Sequence, residues 1–294
     1  MAELTTNNVR ITGILANAEV KKDYRKSNGA GYVAVNAIVK SVIGGKENEF
    51  PIEFFANATT ADGQPSKLYE TYGSLDSFIG QRITVTGNLI ERRYWSNRKE
   101  GLTSICTIRG KFISIGLKAD INDDATFDLG GFIVNSITER RNKNNEIYRY
   151  DIDLAQGNYK MDSMQKFTLN VDPNRMDILN GIKLYNVGDT VEFNGKLEFL
   201  VTTTTVADTN TAFGEPKVRT YTNRTYSYFI EGGTYVLKTP EQGCYNKQLI
   251  NALVSSYKAK DVEIEREAKE RGAGNSGAAI ENTASVNFQQ ASLI

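Results

Sequence analysis

The 294-residue sequence contains no histidine, and its two cysteines, Cys106 and Cys244, lie far apart. Histidine is the commonest metal ligand and general base, so Cys/His zinc sites and Ser–His or Cys–His nucleophiles are excluded. Two distant cysteines form no disulfide framework, which favours a reducing, cytoplasmic setting. We predict no cofactor and no metal site, although the plentiful carboxylates leave an acidic metal site open.

Long apolar runs and an overall charge excess are also absent. No apolar stretch approaches the ~20 residues of a membrane span, and the N-terminal residues lack the pattern of a signal peptide. The formal net charge is +0, but residues 1–116 carry 15 Lys+Arg against 11 Asp+Glu. Affinity for nucleic acid must therefore come from local patches, which the first segment favours.

Short strands with alternating apolar and polar side chains occupy the first 240 residues, and turn residues separate them. A short helical connection is predicted at 66–80 and again at 176–188. The predicted strands are 9–15, 32–39, 50–55, 82–91 and 104–115, followed by 126–134, 148–155, 167–172, 189–201 and 222–236.

The two halves have the same order, which is three strands, a helix and two strands. A repeat of ~110 residues indicates a duplicated domain, because solenoid units have only ~20–50 residues. The order is that of the OB-fold, a small Greek-key barrel. Glycines in the middle of the first and fourth strands suit strongly bent barrel strands, and they are Gly13, Gly87, Gly131 and Gly195. Another small β-barrel or a sandwich remains the alternative.

The sequence therefore predicts an all-β fold of two tandem OB-fold barrels with a C-terminal helix and a disordered tail. The predicted boundaries are 1–116 for the first barrel, 117–240 for the second, 241–271 for the helix and 272–294 for the tail. Leu249, Leu253 and Tyr257 recur at helical spacing, so the helix is expected to pack on the second barrel or on a partner.

The first barrel resembles the bacterial single-stranded DNA-binding protein family over about residues 8–115. The first strand, VRITGIL, fits the family pattern, and the fourth strand fits it at Ile83, Val85, Gly87, Leu89, Arg92 and Tyr94. The resemblance implies binding of single-stranded DNA in replication or recombination, no catalysis, and partner proteins recruited by the C-terminal helix or tail. Two barrels in one chain resemble phage-type members, which implies the host cytoplasm. An oligomer remains open, because the family usually forms tetramers from single-barrel chains.

Four clusters combine cations with aromatic rings. Binding a single strand without sequence preference needs cations for the phosphates and rings that stack on bases. By strand alternation, Arg92 and Tyr94 are expected to point away from the barrel core. The candidate nucleic-acid-binding residues are Tyr24, Arg25 and Lys26; Arg92, Arg93, Tyr94, Trp95 and Arg98; Arg140, Arg141, Tyr148 and Arg149; and Arg219, Tyr221 and Arg224.

Several alternatives remain open at this point. Each basic cluster could be an ordinary solvated hairpin, with Trp95 packed against a neighbouring domain. Phe54 and Phe55 alternate across the third strand, so one is expected in the core, and Phe54 is the weaker candidate for base stacking. The segment 201–217 is predicted to be a long ribbon or loop that closes over DNA or contacts another subunit. A virion or complex assembly protein without nucleic-acid binding is the alternative function.

Overall fold

The computed structural model describes residues 6–26, 29–118, 120–208, 217–239 and 243–274. The predicted tail lies outside these residues from position 275 onward, and so does the middle of the predicted ribbon, 209–216. The strands are β1 (Asn7–Tyr24), β2 (Gly31–Ile43), β3 (Lys46–Asn57), β4 (Arg82–Ser96), β5 (Gly101–Ile115), β6 (Asp124–Ile133), β7 (Thr138–Arg141), β8 (Ile147–Gly157), β9 (Met164–Val171), β10 (Thr190–Asp208) and β11 (Lys217–Gly233). The helices are α1 (Lys67–Tyr72), α2 (Met176–Ile182) and α3 (Lys247–Gly274), with a 3₁₀ turn at Leu75–Phe78.

The first five strands close into the predicted barrel. β1 pairs antiparallel with β2 on one side and with β4 on the other. β2 pairs with β3, β4 pairs with β5, and a short parallel contact between β3 and β5 closes the ring. α1 and the 3₁₀ turn connect β3 to β4, as the OB-fold order requires. This confirms the predicted fold for the first half of the chain.

The second barrel repeats this closure with β6, β8, β9, β10 and β11, and the parallel contact joins β11 to β9. It differs in its first strand, which is interrupted between β6 and β7. At the interruption the Asn135 side chain takes the place of a strand partner, because its Oδ1 accepts the Asp153 N–H at 3.0 Å. The sequence pattern did not indicate β7 as a separate strand.

The mid-strand glycines lie where a strand bends sharply against its neighbour. A Cβ atom on Gly87 would lie 2.1 Å from the carbonyl oxygen of Arg109, and one on Gly195 would lie 2.0 Å from that of Phe229. A β-bulge occurs at each of these two glycines. The bend leaves no room for a side chain, which is the physical reason for the repeated glycine pattern.

The two barrels share one sheet and one core. β1 pairs with β6 over Asn7–Thr12, which joins the barrels into an 11-stranded sheet. The rings of Phe50 on β3 and Phe199 on β10 lie 5.1 Å apart, and buried side chains from both barrels form a continuous hydrophobic cluster. The predicted boundary after residue 116 falls between β5 and β6, and the boundary after 240 falls between β11 and α3.

Buried polar contacts fix the orientation of the barrels. Asn7 Nδ2 donates to the Leu89 carbonyl and to Gln156 Oε1, both at 3.0 Å. Asn48 Oδ1 accepts the Phe199 N–H at 2.8 Å, so the β2–β3 hairpin is attached to β10. Because hydrogen bonds have strict geometry, these contacts specify one relative placement.

α3 packs on the second barrel, as one of the two alternatives predicted. Leu253 is buried beside Phe132, Ala155 and Met164 in a second hydrophobic cluster. Further along, the helix also contacts β4 of the first barrel. In the part of the chain that the structure describes, no helix has the length and apolar character needed to cross a membrane.

Candidate nucleic-acid interface

The hairpin between β1 and β2 exposes the first predicted cluster. Tyr24 is 74% exposed at the end of β1, and Lys26 is also exposed. Arg25 Nη2 donates to Asn57 Oδ1 at 2.8 Å, which draws the guanidinium towards the end of β3. The guanidinium carbon lies 5.7 Å from the centre of the Phe55 ring, within the range of a cation–π contact.

The adjacent part of the barrel surface carries two more rings. Tyr32 on β2 and Phe55 on β3 are stacked, with ring centres 5.6 Å apart and an angle of 26° between the planes. Phe55 is 45% exposed, whereas Phe54 is buried, so the prediction that one of the two belongs to the core is confirmed. Sequence reasoning missed Tyr32, although its alternation with buried Val33 and Val35 could have indicated an outward ring.

Arg92 lies on the same outer side of β3 as this aromatic pair. Its guanidinium forms an ion pair with Glu53, which is two residues from Phe55 along the strand. Glu53 is also the register partner of the exposed Arg109 on β5. Tyr94 follows Arg92 on the same face of β4 by strand alternation and is half-buried. We call Tyr24, Arg25, Tyr32, Phe55, Arg92 and Arg109 the first-barrel face.

Arg93 and Trp95 point to the opposite face of β4, towards α3 in the case of Arg93. Arg93 Nη1 lies 2.5 Å from Asp261 Oδ1 and donates to the Tyr257 carbonyl at 3.0 Å. Its guanidinium carbon also lies 3.6 Å from the centre of the Tyr257 ring. Trp95 shares this face by alternation and is half-buried. Tyr94 and Trp95 are therefore neighbours in sequence that lie on opposite faces of β4.

Tyr257 links α3 to β4 a second time. Its hydroxyl donates to Glu91 Oε1 at 2.6 Å. Burial raises the pKa of Tyr257 strongly, and the hydrogen bond to Glu91 raises the pKa further. The Arg93 guanidinium is thus engaged by α3 within the protein.

The second-barrel hairpin holds its arginines against a buried carboxylate. Asp151 is 4% exposed and contacts Arg140 Nε at 2.6 Å and Arg149 Nε at 2.8 Å. The hydrogen bond to Asp151 raises the pKa of Arg140 above its ordinary value, and the opposite charge adds to this effect. Arg141 forms an ion pair with Glu139. Tyr148 is exposed beside Arg149, whose guanidinium carbon lies 5.6 Å from its ring centre.

The remaining candidates lie on the β10–β11 ribbon and on the β4–β5 turn. Ribbon and loop were the two alternatives predicted for 201–217, and the paired residues have the ribbon form as far as Asp208 and Lys217. Tyr221 is exposed and Arg224 is half-buried on the ribbon. Only the backbone of Arg219 is described, and its side chain lies outside the described part of the structure. Arg98 is exposed in the turn after β4.

The comparisons with known proteins agree with the fold. A single-stranded DNA-binding protein from Thermus aquaticus is 14% identical, with a TM-score of 0.50 over 80% of this chain and 95% of that chain. A deletion variant of that protein is 17% identical, with a TM-score of 0.46 over 80% of this chain and 96% of that chain. Among curated proteins nothing matches. The profile of the YorF family matches residues 5–270, so this chain belongs to the YorF family.

Proposed function

We propose that this protein binds single-stranded DNA without sequence preference and without catalysis, using the first-barrel face. The observation that carries the proposal is the stacked Tyr32–Phe55 pair, with Arg25 over one ring and Tyr24 exposed beside it. Exposed rings next to cations on the strand-2 and strand-3 surface are what an OB-fold uses to hold an oligonucleotide.

The rings and the cations of the first-barrel face contribute to binding in different ways. Each base stacked on a ring contributes ~1–3 kcal/mol, and any base can stack because every base has a π-face. Arg25, Arg92 and Arg109 supply the positive charge for phosphates along β2 to β5. Glu53 holds the Arg92 guanidinium through an ion pair, and it lies opposite Arg109 in the strand register, so it limits the net charge of this face. We therefore expect moderate affinity that falls as salt rises.

The second barrel contributes less to phosphate binding in this proposal. Asp151 is shared by Arg140 and Arg149 and compensates one of their two charges, and Glu139 compensates Arg141. Tyr148 and Tyr221 are exposed and remain candidates for stacking. The resemblance to single-stranded DNA-binding proteins supports a role in replication or recombination, with a phage gene expressed in host cytoplasm as the setting.

A titration of labelled oligo-dT, the matching RNA and duplex DNA at two salt concentrations tests the proposal. We expect oligo-dT to bind more tightly than the duplex and to bind more weakly at the higher salt. Phe55→Leu removes the π-face but keeps an apolar side chain, and it should weaken binding about tenfold. Tyr235→Ala is the control, because Tyr235 is 95% exposed and lies outside the first-barrel face.

An assembly protein of a virion or complex is the alternative, and the absence of any net charge excess favours it. Such a protein would show no salt-dependent affinity for oligo-dT, and the Phe55→Leu and Tyr235→Ala variants would give the same result in the titration. Absence of salt-dependent oligo-dT binding refutes the DNA-binding proposal, and equal affinities of the two variants refute the first-barrel face as its site.

A further inference from the structure

A groove of about 230 Å³ lies between the two barrels, apart from the first-barrel face. One wall is β5 of the first barrel, and the other comes from β8, β9 and β11 of the second. The side chains that matter for its chemistry are Ser104, Cys106, Arg149, Lys166, Tyr226 and Tyr228. We call it the inter-barrel groove.

The walls of the inter-barrel groove are held in place from both sides. Glu91 Oε2 accepts the Lys166 N–H at 2.8 Å, and Gln165 Oε1 accepts the Glu91 N–H at 2.9 Å, which fixes β4 against β9. On the ribbon, the Tyr226 ring rests 4.5 Å from the ring of Phe199. A site whose walls are already positioned loses little conformational freedom when a ligand enters.

Two tyrosines give the groove an aromatic surface and an unused polar group. Tyr226 is partly exposed, so part of its ring is available to a ligand. The Tyr228 hydroxyl oxygen is buried and has no hydrogen-bond partner with good geometry; its polar neighbour is the Cys106 thiol, which is a weak acceptor. A buried hydroxyl without a partner is costly, so a ligand that bonds to it would gain affinity.

The charged groups around the inter-barrel groove balance one another. Arg149 and Lys166 line the groove, and Arg140 reaches the same carboxylate as Arg149. Asp151 and Asp153 are the opposing acids, and Lys166 Nζ lies 3.2 Å from Asp153 Oδ2. Glu91 is a third carboxylate here, because its Oε2 accepts the Lys166 N–H. Three cations therefore face three carboxylates, which suits the uncharged base of a nucleotide better than its phosphate.

The groove lies close to the beginning of β3, whose far end carries Phe55. Burial raises the pKa of Tyr226 on β11, and the nearby charge of Glu49 on β3 also raises it. The Phe199 ring on β10 contacts the rings of both Tyr226 and Phe50, which links β11 to β3. A polynucleotide lying along the outer side of β3 would therefore reach the groove.

We propose that the inter-barrel groove takes one base of the bound strand, stacked against Tyr226 with its polar edge towards the Tyr228 and Ser104 hydroxyls. Hydroxyl groups both donate and accept hydrogen bonds, so the site accepts any base. The groove is smaller than the ~300–1,000 Å³ of common small-molecule sites, which favours a single flat ring system. This inference rests on the proposed function.

Two exposed serines of β5 provide a matched test. Ser104→Glu places a carboxylate in the groove, whereas Ser114→Glu adds the same charge to the same strand away from the groove. With labelled oligo-dT, we expect Ser104→Glu to weaken binding about tenfold and Ser114→Glu to change binding less than about twofold. Equal effects of the two variants would overturn the inference.

A second measurement separates stacking from charge. Tyr226→Leu keeps an apolar contact with Phe199 but removes the ring that would stack on the base. An oligonucleotide with one 2-aminopurine should lose part of its fluorescence quenching with this variant, whose thermal midpoint is measured alongside. Unchanged quenching would contradict the site.

The experiments also separate the two proposals. If the unaltered protein does not bind oligo-dT at all, the proposed function fails. If it binds oligo-dT but the groove variants bind as tightly as their controls, only the groove assignment fails.

Discussion

Arg92 and Arg93 are adjacent on β4 but have opposite surroundings, so replacing each with alanine should have different consequences. The Arg93 side chain is 12% exposed and contacts Asp261, the Tyr257 carbonyl and the Tyr257 ring. Arg92 is 40% exposed and has only the ion pair with Glu53 among the contacts described. We expect Arg93→Ala to destabilise the protein and Arg92→Ala to weaken DNA binding.

The magnitudes follow from these contacts. A hydrogen bond to a charged group contributes ~1.5–3 kcal/mol, and a desolvated cation–π contact adds up to ~2 kcal/mol, so Arg93→Ala should cost about 2–4 kcal/mol. Much of this loss should appear as release of the second half of α3, because Leu253 still anchors the first half. Arg92→Ala should cost at most ~1 kcal/mol of stability, as an exposed ion pair does.

Limited proteolysis of α3, thermal denaturation and oligo-dT titration over a salt series measure the two effects. Arg93→Ala should be cleaved faster in α3 and still bind oligo-dT. Arg92→Ala should resist cleavage like the unaltered protein, and its salt slope should fall by ~0.7 for one lost phosphate contact. The reasoning is wrong if Arg93→Ala lowers the affinity as much as Arg92→Ala while α3 stays protected.

Three further predictions follow from the fold. Gly195→Ala should destabilise the protein by ~1–3 kcal/mol in urea unfolding, because its Cβ would lie 2.0 Å from a carbonyl oxygen. Gly181→Ala in α2 is the control: beyond its chain neighbours and the backbone of its own helix, a Cβ there would have no atom within 4 Å, so the change should be neutral or stabilising by up to ~1 kcal/mol. The shared core predicts one unfolding transition, seen at the same urea concentration by circular dichroism and by Trp95 fluorescence; two separate transitions would show independent barrels. Burial raises the pKa of Cys106 to about 12 from its ordinary 9.0. At pH 8 the alkylation of Cys106 should therefore be at least ~100-fold slower in the folded protein than in the denatured chain. The stability of the fold should also fall as pH rises above about 9, because there only the unfolded chain releases the proton. Mass spectrometry distinguishes Cys106 from Cys244, and equal rates in the folded and denatured protein would contradict the burial.

Local patterns were enough to predict most of the barrel architecture. Alternation along β1 and β4 reflects which side chains face the core, and this depends only on neighbouring residues of one strand. Gly87 and Gly195 were identifiable because a sharp bend next to a carbonyl excludes any side chain. The helical spacing of Leu249 and Leu253 indicated α3 for the same local reason.

The candidate site was predictable only in part. The basic hairpin with Tyr24 and Arg25 was visible in the sequence, and so was the outward direction of Arg92. Tyr32 was missed because strand alternation indicates at most that its ring points outward, and not which other ring lies beside it. Its stacking partner Phe55 lies on another strand, 23 positions away along the chain.

The sequence by itself determined the duplicated strand order, the bent positions and the rich supply of cations and rings, since each is a property of a short segment. The tertiary structure decided which cations already have an acidic partner within the protein. Arg93 meets Asp261, and Asp151 holds two arginines, through contacts between different elements. It also decided that β1 joins β6 and that a groove forms between the barrels. These features depend on how distant segments pack, and alternation or local composition carries no information about that packing.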